Sequence, residues 1–259
     1  MITWKYKLWQ TAGAAAALSL AACGQSEAPA PAETQTPTPA PAEGPAAAVG
    51  EAGGEQGEAG VATAYAGVAG DQLTALRLQH LKGFLLIAER VAADGAAPEA
   101  GVLVQQGLLE VYDPAAGQFG ALNIEPVRAA ANAASTQSID AGEAAINAAR
   151  TGLTVDNAAL AARMLDLSTG LYQHVIQADF IDPIEYQHSL GAALSARDAL
   201  TAGEATLRAS NARAYDNALA EVNRFIELWP GATAPERPAT YAQVLAASSR
   251  VRLALSPFL

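Results

Sequence analysis

The stretch VDNAALAARMLDLSTGLYQHVIQA, residues 155–178, decides the class of fold. Its apolar side chains Leu160, Met164, Leu167, Leu171 and Val175 recur every three or four positions. That spacing lines one face of an α-helix, whereas a half-buried strand alternates every second residue. A helix is therefore expected from about Val155 to Ala178. The residues that follow carry a start signal. Asp182-Pro183-Ile184-Glu185 offers an N-capping acid, a proline in the first turn and an acid at the third position. A second helix is expected from there to Ala202, stopped by Gly203.

The same period extends in both directions. Upstream, Leu73, Leu76, Phe84, Ile87 and Val91 form a stripe that Asp94-Gly95 ends. Pro98 opens a shorter helix that reaches Tyr112, and Asp113-Pro114 and the region Gly117 to Gly120 break the chain. Helical patterns resume near Glu125-Pro126 and again after Asp140, where Asp140 and Glu143 have the spacing of a capping box, and Gly152 closes that piece. Downstream, Leu207, Ala218, Val222, Phe225 and Trp229 predict a helix that Trp229-Pro230-Gly231 stops. A last helix is expected from about Thr240 to Leu255. Alanine, the strongest helix former, saturates these segments. Residues 61–259 thus read as an all-α antiparallel bundle of seven or eight helices.

The chain opens differently. Lys5 and Lys7 precede an apolar run from Thr11 to Ala22, which is too short to span a bilayer. A basic start, a short apolar run and small residues at its end are the parts of an export signal. The run closes on Leu20-Ala21-Ala22-Cys23-Gly24. This ending resembles the lipobox of bacterial lipoproteins. The resemblance implies that residues 1–22 are removed, that Cys23 carries lipid, and that the partner of the mature N-terminus is a bilayer. Gly24 after the cysteine, by the family's sorting habit, points to the outer membrane facing the periplasm. Cys23 is the single cysteine of the chain, so disulfides within it and thiolate metal sites are excluded.

Residues 24–60 hold six prolines and six glutamates, much alanine and glycine, and no aromatic residue. Such a composition buries too little apolar surface to offset the entropy of ordering. Residues 23–60 are therefore expected to be the lipidated cysteine and a disordered tether. The whole chain carries a formal charge of −11. An acidic protein lacks the basic footprint that nucleic acid requires, and nucleic-acid binding is discarded.

Candidates for chemistry are few. Glu185 and His188 are three residues apart, which on a helix places both on one face. Helical-bundle di-iron proteins use that Glu-x-x-His pair twice, with further glutamates; here it occurs once. With His174 it makes a candidate site for a transition metal such as iron, copper or zinc. The competing reading makes Asp182 and Glu185 capping acids and His188 a packing residue. His80 falls on the stripe of Leu76 and Phe84 and reads as a core histidine. Arg77, Arg90, Arg128, Arg150, Arg163 and Arg197 are scattered and read as solvated helix faces. No His-Glu-x-x-His, Gly-x-Ser-x-Gly or phosphate-loop motif occurs, and no catalytic residue is assigned.

Phe225-Ile226-Glu227-Leu228-Trp229-Pro230-Gly231, Ser249-Arg250-Val251-Arg252-Leu253-Ala254 and Ile184-Glu185-Tyr186-Gln187 together resemble a group of proteobacterial exported helical proteins. That resemblance implies no activity. The expectation is a non-catalytic, membrane-anchored periplasmic lipoprotein that binds a protein or small ligand without a cofactor. The alternative is a metal-handling protein using Glu185, His188 and His174.

Overall fold

The computed structural model describes residues 58–178 and 180–259. The expected signal, Cys23 and the expected tether up to residue 57 lie outside the described residues. The described chain is all-α. Its helices are α1 (Glu58–Tyr65), α2 (Gly70–Ala93), α3 (Ala97–Gly107), α4 (Glu125–Asn132), α5 (Thr136–Arg150), α6 (Asn157–Tyr172), α7 (Pro183–Ala202), α8 (Glu204–Ile226) and α9 (Tyr241–Leu255). A π-helical turn (Leu108–Tyr112) and a 3-10 segment (Asp113–Gln118) prolong α3. The helix beyond the expected seven or eight is α1.

The centre of the bundle is formed by α2, α6 and α7. Both α2 and α7 are buried nearly all round, the signature of a helix inside a core rather than on its surface. They run antiparallel and touch backbone to backbone at Gly83 and Gly191. A Cβ added to Gly191 would stand 2.6 Å from the Gly83 carbonyl oxygen, so no larger residue fits without moving a helix. Helix α6 packs antiparallel on α7, and Ser168 Oγ donates to the Ser189 carbonyl at 2.7 Å. Helices α3 and α5 pack on α2 and α4 packs between α3 and α5, while α8 packs on α7 and α9 on α6 and α8.

The stop and start signals hold where they are local. Asp182 caps α7 by accepting from Ile184 N and Glu185 N, and Thr240 caps α9 in a reciprocal box with Gln243. Two expectations need correction. Helix α5 starts earlier than Asp140: Ser135 is its N-cap, in a capping box with Ser138, so Asp140 and Glu143 are interior residues. Helix α6 ends at Tyr172 rather than Ala178. The chain then turns back as a hairpin. Val175, which continues the apolar period, is buried in that turn instead, Ile176 bridges Ile181, and Asp182 N donates to Val175 O at 2.8 Å.

The described domain has two distinguishable ends. At one lie the start of α1, the end of α6, the hairpin closed by the Ile176–Ile181 bridge and the start of α7. There Gly60 meets Gly170 so closely that a Cβ on Gly60 would lie 2.6 Å from Gly170 Cα. An aromatic group seals this end: Tyr172 and Phe225 each stand 5.1 Å from the Trp229 ring. Tyr172 Oη donates to Ala239 O and Tyr186 Oη to Gly231 O. At the other end lie the close of α5, the start of α6 and the close of α7. No described helix is long and apolar enough to cross a membrane.

Candidate functional site

Helical spacing assembles one polar cluster inside the bundle. Gln79 and Lys82 are three apart on α2; Glu143, Asn147 and Arg150 form one stripe of α5; Ser195, Asp198 and Thr201 do so on α7. The three faces converge. Lys82 is 3% exposed, and its Nζ lies 2.6 Å from Asp198 Oδ1, 3.0 Å from Asn147 Oδ1 and 4.0 Å from Glu143 Oε2. Arg150 donates to Gln79 Oε1 at 2.6 Å and to Asn157 Oδ1 at 2.8 Å, and stands 3.8 Å from Asp198 Oδ2. Gln79 Nε2 donates to Asp198 Oδ2 and to Ser195 O, and Ser195 Oγ returns a bond to Gln79 O. Asp198 is the hub, shared by two cations and an amide.

This network forms the floor of an open cleft of about 450 Å³ at the α5–α6–α7 end. Lys82, Asn147, Arg150, Asn157, Asp198 and Thr201 give it polar groups; Leu153, Val155 and Ala202 give it an apolar wall. A concave site with a few converging polar groups is the usual form of a small-molecule site.

The electrostatics are tuned by burial. Desolvation pushes the Glu143 carboxyl up to about 7, against the pull of Lys82 and with the repulsion of Glu89, Asp198 and Asp140. Its Oε1 is buried without a hydrogen-bond partner among the described residues. Burial thus favours the protonated form of Glu143 more than for an exposed carboxyl, beside Lys82 and in sight of the Asp198 carboxylate that Lys82 and Arg150 share.

Sequence reasoning missed this cluster. Arg150, read there as part of a solvated face, is largely buried in it, and burial lowers the pKa of its guanidinium. The local signal was Lys82, which sits between Leu81 and Gly83-Phe84 in the most apolar part of α2.

The sequence-derived metal candidates lie elsewhere. Glu185 and His188 are both buried on the first turns of α7. His188 Nε2 is 3.3 Å from Gln106 Oε1, and Nδ1 is 3.8 Å from Glu110 Oε2. Its ring meets Phe84 edge-on at 4.8 Å. His174 is half-buried in the turn after α6, where its carbonyl accepts from Gln177 Nε2 at 2.6 Å. Among the described residues no group of three or more His, Cys, Asp or Glu can hold a metal ion, so Glu185, His188 and His174 form no such cage.

His80 is a core histidine, with Nδ1 3.1 Å from Tyr65 Oη. With Phe84, His188 and the Gly83–Gly191 contact it lines an enclosed void of about 10 Å³, the size of one water site. Desolvation drives His80 down to about 3, with His188 adding to the effect. The same cause drives His188 down to about 4. Both rings are neutral at neutral pH. No family model matches this chain, and neither does any curated protein or solved structure.

Proposed function

We propose that this protein is a lipid-anchored envelope protein, acylated at Cys23 and facing the periplasm from the outer membrane, whose helical domain binds a small charged ligand without transforming it. The anchor reading is supported by the sequence Leu20–Cys23 with its basic and apolar flanks. The ligand reading is carried by one observation: Lys82, Arg150 and Asp198 are held in the floor of a cleft open to solvent. Burying an ion pair costs desolvation free energy that an apolar packing would avoid, so such a cluster is poor material for stability alone. At the mouth of a cleft it supplies donors and an acceptor already oriented for a ligand bearing charge of either sign.

Two measurements on protein extracted from the envelope test this reading. Intact mass must give a chain beginning at Cys23 with acyl groups attached. A chain still beginning at Met1 and free of lipid sinks the anchor. Native mass spectrometry must retain a small molecule on the parent that Arg150→Met loses; equal occupancy in both sinks the cleft.

A further inference from the structure

The hydrogen bonds made inside the cleft leave it an excess of donors. Lysine and arginine carry only N–H groups and cannot accept. The amide oxygens of Asn147 and Asn157 must therefore face the two cations: Lys82 Nζ donates to Asn147 Oδ1 at 3.0 Å, and Arg150 Nη2 to Asn157 Oδ1 at 2.8 Å. That fixes how each amide is turned. Both residues line the cleft, and neither NH2 group donates to a described residue. Arg150 gives one N–H to Gln79 Oε1 and one to Asn157 Oδ1 and keeps its remaining N–H groups.

The acceptors are already engaged. Asp198 takes Lys82 on Oδ1 and Gln79 on Oδ2, with Arg150 at 3.8 Å. Thr151 and Thr201, both exposed, give their hydroxyl hydrogens to the carbonyls of Asn147 and Arg197 and keep only neutral lone pairs. Charge agrees with the donors. Lys82 and Arg150 line the cleft against the single acid Asp198. The acids beside the 153–156 loop, Asp71 and Asp156, accept from the backbone N–H groups of Thr154 and Ala159. The apolar wall of Leu153 and Val155 adjoins Asn157 on the same loop and helix start.

We propose that the cleft takes a small organic acid, its carboxylate accepting from Arg150 and from Asn157 Nδ2, its apolar part lying on Leu153 and Val155. The proposal rests on the reading of the cleft as a ligand site and names the class of ligand. A carboxylate offers two oxygens in one plane, which suits a guanidinium with an amide beside it. An ammonium would meet one charged acceptor, Asp198, bonded on both oxygens.

Isothermal titration calorimetry of the mature chain in non-ionic detergent tests this with butyrate, butylammonium and inorganic phosphate. Butyrate should bind the parent and butylammonium should not. Asn157→Asp keeps an oxygen for Arg150 but exchanges the donor for an acceptor, so it should weaken butyrate by about tenfold or more and admit butylammonium. Should Asn157→Asp misfold by circular dichroism, Asn147→Asp, at an exposed position, is read in the same way. A parent that binds butylammonium or phosphate but not butyrate overturns the organic acid and keeps the cleft. Butyrate bound equally by the parent and the folded variant overturns the assigned donors. No heat from any probe, while native mass spectrometry retains a molecule that Arg150→Met loses, overturns the acid alone; no heat and no retained molecule overturns both acid and cleft.

Discussion

The two ends of the domain solve opposite problems. The hairpin end hides its polar groups and shows apolar ones: Tyr172, Tyr186 and Trp229 each bury a ring with a satisfied polar atom, while Phe180 and Ile176 stand in solvent. The cleft end hides charge: Lys82 and Arg150 lie under the surface around Asp198, and solvent reaches them from one side. Between them α2 and α7 cross at Gly83 and Gly191, where backbone replaces side chain. Neither the exposed apolar residues nor the buried ions contribute the stability that well-packed apolar side chains in the core do.

The largest effect expected from breaking this comparison is at the hub. Asp198→Ala leaves Lys82 and Arg150 without their shared carboxylate. Removing one partner of a buried pair costs about 3–5 kcal/mol, and the partly exposed Asp198 belongs near ~3 kcal/mol. Denaturant melts of Asp198→Ala and Phe180→Ser side by side measure the contrast, because an exposed side chain changes stability by less than about 0.5 kcal/mol. Equal losses at both sites would erase the distinction between the ends.

Acid separates the ends from the middle of the bundle. His80 and His188 are driven down to about 3 and about 4 from an unfolded value of 6.5. The unfolded chain therefore binds more protons than the fold once pH drops below 6.5. Stability from these two groups is complete above that pH and is lost as pH falls toward about 4 and then about 3, by at most about 1.4 kcal/mol per pH unit for each ring. The double variant His80→Gln with His188→Gln should flatten this acid limb in urea melts between about pH 6.5 and 4; an unchanged slope would mean the rings are not held neutral.

Glu143 has the opposite sign. Its folded value of about 7 lies above the unfolded 4.5, so the fold binds the extra proton between those values. Its contribution is full below pH 4.5 and falls as pH rises to about 7. The total is on the order of 2 kcal/mol, allowing for its partial contact with solvent. Glu143→Gln should therefore melt higher than the parent at about pH 8 and much closer to it at about pH 5. A gain independent of pH would assign the effect to packing.

The fold was legible because the helices are punctuated locally. Asp94-Gly95, Gly152, Asp182-Pro183 and Gly203 stand in the sequence where helices stop or start, and a stripe such as Leu160–Leu171 needs no partner to be recognised. Helix α1 was not legible: its Ala- and Gly-rich residues carry no stripe, and it docks through Gly60 on Gly170, a contact made by the absence of side chains. The end of α6 differs from the expectation because Val175 and Ile176 keep the helical period while the chain turns after Tyr172 and Ile176 pairs with Ile181. The polar cluster escaped because Gln79, Arg150 and Asp198 are more than 40 residues apart from one another, and each taken singly has the composition of a solvated face. Proximity there is a product of three helices meeting.

The most direct test is a thermal-shift titration of the domain with three probes, the anion butyrate, the zwitterion glycine and the dication putrescine. At least one is expected to raise the melting temperature of the parent in proportion to the logarithm of its concentration, by mass action on the folded state. Arg150→Met or Asp198→Asn should abolish the shift while Phe180→Ser keeps it. If none of the three shifts the parent, or if the shift survives in both cleft variants, the charges under the cleft bind no such ligand and the account is contradicted.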